Sequence, residues 1–184
     1  MAEDKRCGCA EYFAPTDLRE ACSLAADLEG DAVIMIRGRP LGQANGRKEE
    51  NLCAVELKDI AGLDGIHSDE KGNLRIGSLT PLVDVAAVLA GGERLSAIAR
   101  AALDEARIRG EEATAAEALV NGTAREAFFA ALRGLGAKIS VSGADHEQIC
   151  PAAEFYRDGA LTILEAGDIV KSIDIPAAPP GGGR

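Results

Sequence analysis

The 184-residue chain has room for one domain or two small lobes sharing a core, and its 47% hydrophobic content suffices for a globular interior. A net charge of −10, from 30 acidic against 20 basic side chains, argues against nucleic acid or an anionic membrane as a general partner. Only 3% of the residues are aromatic and none is Trp, so Ala, Leu, Ile and Val must build the core. No stretch nears the ~20 apolar residues of a bilayer span.

Residues 1–10 read as a flexible polar arm. Pro15-Thr16-Asp17 then opens a helix, with Asp17 as its cap and Glu20 three positions later completing a box-like pair. Leu18, Ala21, Cys22, Ala25 and Leu28 recur at helical spacing and form its buried stripe. Glu29-Gly30-Asp31 ends the helix. Ala32 to Ile36 follows as a short, fully apolar strand, the kind that is covered on both faces in a parallel α/β lobe. Residues 42–51 form a polar loop, and Leu52 to Leu57 is a second strand. Ile60 to Ile66 makes a short connection, after which Asn73 to Gly77 alternates as a half-buried strand does.

Thr80-Pro81 opens the next helix, with Pro at a first-turn position where its missing N–H is harmless. Leu82 to Leu89 continues it, Gly91-Gly92 breaks it, and Leu95 to Ala106 forms another. Thr123 and Glu126 fit a capping box ahead of a helix from Ala127 to Leu135. Ala137 to Ser142 is a strand, Pro151 to Tyr156 a helical turn and Ile169 to Ile175 a last strand, before a Pro/Gly-rich disordered tail at 177–184. Helices and strands in the second half are not regularly interleaved. The expected fold class is therefore α+β in two lobes: a small parallel α/β lobe over 11–57, then a larger mixed, antiparallel α+β lobe over 58–176.

Five scattered cysteines without an export signal at the N-terminus imply reduced thiols and a cytoplasmic location. Cys7-Gly8-Cys9 has no second pair at zinc or cluster spacing and reads as incidental thiols, so no metal ligand set is assigned. His146 and Cys150 lie four apart, but Gly143-Ala144-Asp145 points to a hairpin turn rather than a helix face. Asp104, Glu105, Glu111 and Glu112 read as solvated helix surface. Arg37, Arg39, Arg47 and Lys48 concentrate positive charge in an acidic chain. They fit an anion or cofactor-phosphate site, a docking patch for an acidic partner, or a solvated loop answered by Glu49 and Glu50. No Gly-x-Ser-x-Gly and no Gly-x-Gly-x-x-Gly is present, so neither a nucleophilic triad nor a Rossmann-type cofactor site is supported, and no catalytic residue is assigned.

Several stretches, in order and spacing, resemble the FAD-binding domain of the molybdenum hydroxylases, found in xanthine dehydrogenase and aerobic carbon monoxide dehydrogenase. They are Tyr12 to Ala21, Leu57 to Ile66, Leu74 to Thr80, Leu132 to Val141 and Ala166 to Pro176, and the resemblance covers roughly residues 11–176. It implies a two-lobed flavin domain that passes electrons between iron–sulfur clusters on a partner and an external acceptor. It also implies an iron–sulfur subunit and a large molybdopterin subunit as partners, with molybdopterin and the clusters held by those partners. Carried over to this chain, the loops around FAD are Ile36, Arg37, Gly38, Arg39 and Leu41, and Thr114, Ala116 and Glu117.

Those loops depart from the family pattern. Ile36-Arg37-Gly38-Arg39-Pro40 stands where the family has Ala-Gly-Gly-Thr-Asp, and Thr114-Ala115-Ala116-Glu117-Ala118 stands for Thr-Ile-Gly-Gly-Asn. The lost glycines permit close backbone approach to a diphosphate, and Glu117 adds a carboxylate. At about 4 Å and an effective dielectric of 20, one like-charge pair costs about 4 kcal/mol, roughly a thousandfold in affinity. The expectation is a structural or assembly subunit of a molybdenum-hydroxylase-type complex with FAD binding lost or weakened. Two alternatives stay open: a working FAD electron-transfer subunit whose arginines replace backbone contacts, and an unrelated α+β anion-binding protein.

Overall fold

The computed structural model describes residues 11–28, 31–42, 52–123, 125–158 and 161–178. The expected arm at 1–10, Cys7 and Cys9, the helix end at Glu29-Gly30, the polar loop with Arg47, Lys48, Glu49 and Glu50, and the tail from 179 lie outside those residues. Two compact units are present. The first comprises residues 1–61, 141–148 and 164–169; the second comprises 62–140, 149–163 and 170–184. Mixed α and β elements, with parallel and antiparallel pairing, make the fold α+β as expected.

The first unit is built on a four-stranded sheet in the order β1-β4-β2-β3, from β1 (Glu11–Phe13), β2 (Ala32–Ile36), β3 (Arg39–Leu41) and β4 (Cys53–Glu56). β1 and β2 both run parallel to β4, which accounts for the unbroken apolar run of β2. Helix α1 (Leu18–Asp27) packs on β2 and β4. Asp17 caps it as expected, its Oδ1 accepting from the Arg19 N–H at 2.9 Å and the Glu20 N–H at 3.1 Å. Ala21, Cys22 and Ala25 are its buried residues, a narrower stripe than the spacing predicts, since Leu18 and Leu28 are half-exposed.

Two strands of the first unit escape the sequence pattern. β1 has only three residues, and β3 contains Pro40, which signals against a strand interior. β3 is an edge strand, where a missing N–H breaks no ladder on the solvent side. It pairs antiparallel with β2, so the expected parallel lobe carries one antiparallel edge.

The second unit carries most of a five-stranded sheet, β5-β6-β9-β7-β8, from β5 (Ile66–Ser68), β6 (Leu74–Gly77), β7 (Lys138–Ser142), β8 (Glu147–Pro151) and β9 (Ile169–Ile175). β6 is antiparallel to both β5 and β9. β9 takes the centre, and its isoleucines at 169, 173 and 175 are buried. The segment expected as connection up to Ile66 thus leads into a strand, with His67 paired to Arg75. The hairpin turn expected at Gly143-Ala144-Asp145 is formed, the Gly143 N–H donating to the His146 carbonyl at 2.8 Å.

Helices α2 (Leu82–Leu89) and α3 (Ser96–Arg109) pack on each other, and α3 also packs on α5 (Ala127–Gly134). Pro81 sits one position before α2 as its N-cap, not within its first turn. A six-residue helix, α4 (Ala115–Val120), occupies a stretch with no expected helix. Among the described residues no helix is long and apolar enough to cross a membrane.

Candidate functional site

The predicted site residues fall into two groups, one in each unit. In the first, Arg37 and Gly38 form the two-residue turn between β2 and β3, with φ of 51° and 76°. Two left-handed residues are what a tight hairpin with the native strand twist demands, and Asn-Gly is the usual choice. An arginine in that conformation costs about 1–2 kcal/mol. The compensation is Glu56, at the end of β4 and 1% exposed. The Arg37 N–H donates to its Oε1 at 2.7 Å and the Gly38 N–H to its Oε2 at 2.8 Å, and the Lys58 N–H reaches Oε1 at 3.2 Å.

The turn therefore does present backbone N–H groups to an anion, and the anion is the chain's own carboxylate. Ile36 is fully buried, so its side chain belongs to the core. The Arg37 side chain is exposed, and a Cβ on Gly38 would meet nothing within 4 Å. Leu41, half-exposed, lines a cavity of about 290 Å³ together with Ala25, Ala32, Val33 and the turn ending at Asp168. Asp168 accepts from the Glu165 N–H at 3.0 Å, and its Oδ1 lies 3.3 Å from His146 Nε2.

In the second unit, Thr114 and Glu117 make a capping box at the start of α4. Glu117 Oε2 accepts from the Thr114 N–H at 2.8 Å and from the Thr114 hydroxyl at 3.0 Å, while the Glu117 N–H donates to Thr114 Oγ1 at 3.4 Å. The Ala115 N–H donates to the Thr80 carbonyl at 3.0 Å, and the Ala116 N–H to the Ser78 carbonyl at 2.8 Å. From Thr114 to Glu117 every backbone N–H thus has an intramolecular acceptor. Thr114, Ala116 and Glu117 are all at most 6% exposed. Ser78 itself is fully buried, and its hydroxyl makes no hydrogen bond within the structure.

The box expected at Thr123 and Glu126 does not form. Glu126 is the N-cap of α5 but makes no side-chain cap, because its carboxylate accepts from Arg109 at 3.0 Å. Arg109 also donates to Glu105 at 2.7 Å and to the Asn121 carbonyl at 3.4 Å. Burial works against the Arg109 charge, but the hydrogen bond it donates to Glu105 and the charges of Glu126 and Glu105 outweigh it and hold its pKa above the usual arginine value. Glu105 is consequently not solvated surface: its side chain is 9% exposed, whereas Asp104 beside it is 55% exposed and pairs with Arg107. Tyr156 stands next to this cluster, its hydroxyl donating to the Leu119 carbonyl and its ring edge-on to Phe129 at 4.6 Å. Burial, with the charge of Glu126 adding to it, pushes its pKa up.

Sequence reasoning missed Glu56 and the Arg109 cluster. A glutamate inside the apolar run Val55-Glu56-Leu57 was the available signal for the first. Burial raises the thiol pKa of Cys22 and of Cys150, which marks them as inert core groups. Among the described residues no three His, Cys, Asp or Glu side chains are placed to hold a metal.

Comparison with known proteins agrees with this architecture. The chain is 28% identical over 185 residues to the carbon monoxide dehydrogenase medium chain of Afipia carboxidovorans, covering 96% of this chain and 62% of that one. A crystal structure of Cu,Mo-CO dehydrogenase in its cyanide-inactivated form is similar at 26% identity with a TM-score of 0.70, over 93% of this chain and 60% of that one. The fold alone is shared with carbon monoxide dehydrogenase from Hydrogenophaga pseudoflava (TM-score 0.74, 24% identity, 93% and 60% covered). It is shared likewise with quinoline 2-oxidoreductase from Pseudomonas putida 86 (TM-score 0.71, 21% identity, 90% and 58% covered). The chain spans about three fifths of the length of these relatives. Residues 7–178 match the family described as the FAD binding domain in molybdopterin dehydrogenase, and the chain belongs to that family.

Proposed function

We propose that the chain is a flavin-domain-like subunit of a molybdenum-hydroxylase-type oxidoreductase complex, with a structural or assembly role and a weakened grip on FAD. The observation that carries this reading is where the backbone N–H groups of the two predicted loops go. Arg37 and Gly38 donate to Glu56, and Thr114 to Glu117 donate to Glu117, Thr80, Ser78 and Thr114. A diphosphate held through backbone N–H groups would have to displace those acceptors, two of which are carboxylates of its own charge. The residues present do not fit that mode of binding. Partners in this reading are an iron–sulfur subunit and a large molybdopterin subunit, supported by the similarity to a chain named as the medium one of its enzyme. The setting it suits is the cytoplasm.

A second reading keeps FAD as a working electron relay between clusters and an external acceptor. It is favoured by the Arg37-Gly38 turn, which retains two left-handed residues, open space beside Gly38 and an exposed guanidinium. Purifying the untagged chain from its native cells separates the two. Co-purification of iron- and molybdenum-containing subunits with FAD well below one per chain after heat release supports the first reading. One FAD per chain supports the second, and a chain that purifies alone contradicts both.

A further inference from the structure

We infer that Glu117 is a resident competitor for the diphosphate of a nucleotide: it fills the donor set at the start of α4 that such a ligand would need. The inference rests on the family reading above and deepens it by assigning the obstacle to one side chain. Two features of the local geometry support it. Glu117 Oε2 takes both donors of Thr114, the N–H at 2.8 Å and the hydroxyl at 3.0 Å, so a single oxygen does what a phosphate oxygen would do. The carboxylate is also 6% exposed, a burial that an acidic side chain tolerates when its charge is met by hydrogen bonds.

The remaining N–H groups of the turn are fixed by Ser78 and Thr80, so the segment is pinned in the shape that keeps Glu117 seated. The turn in the other unit follows the same chemistry, with the Arg37 and Gly38 N–H groups closed on Glu56. Glu56 also holds the Lys58 N–H and supports the left-handed Arg37, so removing it would disturb the fold. Glu117 lies at the start of a six-residue helix and makes the cleaner variant.

The test is a calorimetric titration of the full chain with FAD, ADP and riboflavin, for the wild type, E117Q and E117G. E117Q keeps an acceptor for the Thr114 N–H and removes the charge; E117G removes the side chain and frees both Thr114 donors. The expected result is an affinity for FAD and ADP at least about tenfold higher in E117G, the response to a gain of 1.4 kcal/mol, with a smaller gain in E117Q. Riboflavin, which has no phosphate, should bind all three proteins alike. Where E117G does not fold, as judged by circular dichroism, E117Q alone decides. Unchanged FAD and ADP affinities in a folded variant overturn the inference, and so does a gain for riboflavin equal to that for FAD. Tight FAD binding by the wild type would defeat the weakened-flavin reading, yet the ratio between variant and wild type would still judge Glu117 on its own.

Discussion

Two stretches of the second unit carry the same Thr-x-x-Glu spacing and meet opposite ends. At Thr114 the glutamate three residues on folds back over the first turn of α4 and the box closes. At Thr123 the same spacing precedes α5, yet Glu126 turns away to Arg109 and the Thr123 hydroxyl accepts the Arg125 N–H at 3.4 Å instead of a third-position N–H. A capping box is worth about 1 kcal/mol, while a charge-assisted hydrogen bond to a partly buried arginine is roughly twice as strong as a neutral one. The lesson is that a local signal decides local structure only when no tertiary charge claims the same side chain.

The largest effect expected from this contrast is at Arg109. R109M strands Glu105 and Glu126, and should lower the free energy of unfolding in urea by about 2–3 kcal/mol, below the full value for a buried pair because Glu126 is partly exposed. It should also release Glu126 to cap α5. T123A, close to neutral in the wild type, would then destabilise the R109M background by about 1 kcal/mol. A double-mutant cycle without that coupling would break the explanation offered for the difference.

E117A comes next. It removes the acceptor of the buried Thr114 N–H and should destabilise by about 1–2 kcal/mol; an effect no larger than that of T123A would erase the contrast. Y156F should cost about 1 kcal/mol at neutral pH through the lost hydrogen bond to Leu119. It carries a pH signature as well. A hydroxyl whose folded pKa is raised leaves stability intact below its unfolded value, near about 10, and loses it as the pH climbs above that value. Y156F should therefore flatten the alkaline limb of stability against pH, and superimposable limbs would count against burial as the cause. Smallest is T123A alone, expected within about 0.5 kcal/mol of the wild type.

Much of the fold was legible in the sequence because much of it is set by nearest neighbours along the chain. Asp17 caps α1, and Ile169–Ile175 is a strand as expected from its apolar run, although its central place depends on partners from distant segments. β1 and β3 stayed hidden for a physical reason. Three-residue strands have no periodicity to read, and they exist because β4 and β2 supply a ready ladder. In the loops proposed as the candidate site, the turn at Arg37-Gly38 was legible and the acceptors were not. Arg37-Gly38 is a tight turn and Thr114 to Glu117 the cap and first turn of α4, and both gather backbone N–H groups. Their acceptors are another matter: Glu56 lies 18 and 19 positions from the turn it closes. Glu117 obeys a capping rule that the same reading applied at Thr123 instead.

An experimental structure of the chain grown with FAD in large excess tests the central claim most directly. The account predicts Glu117 still hydrogen-bonded to the Thr114 N–H and hydroxyl, with no nucleotide phosphate on them. A diphosphate seated on the Thr114 to Glu117 N–H groups, with the Glu117 carboxylate swung out to solvent, would contradict it.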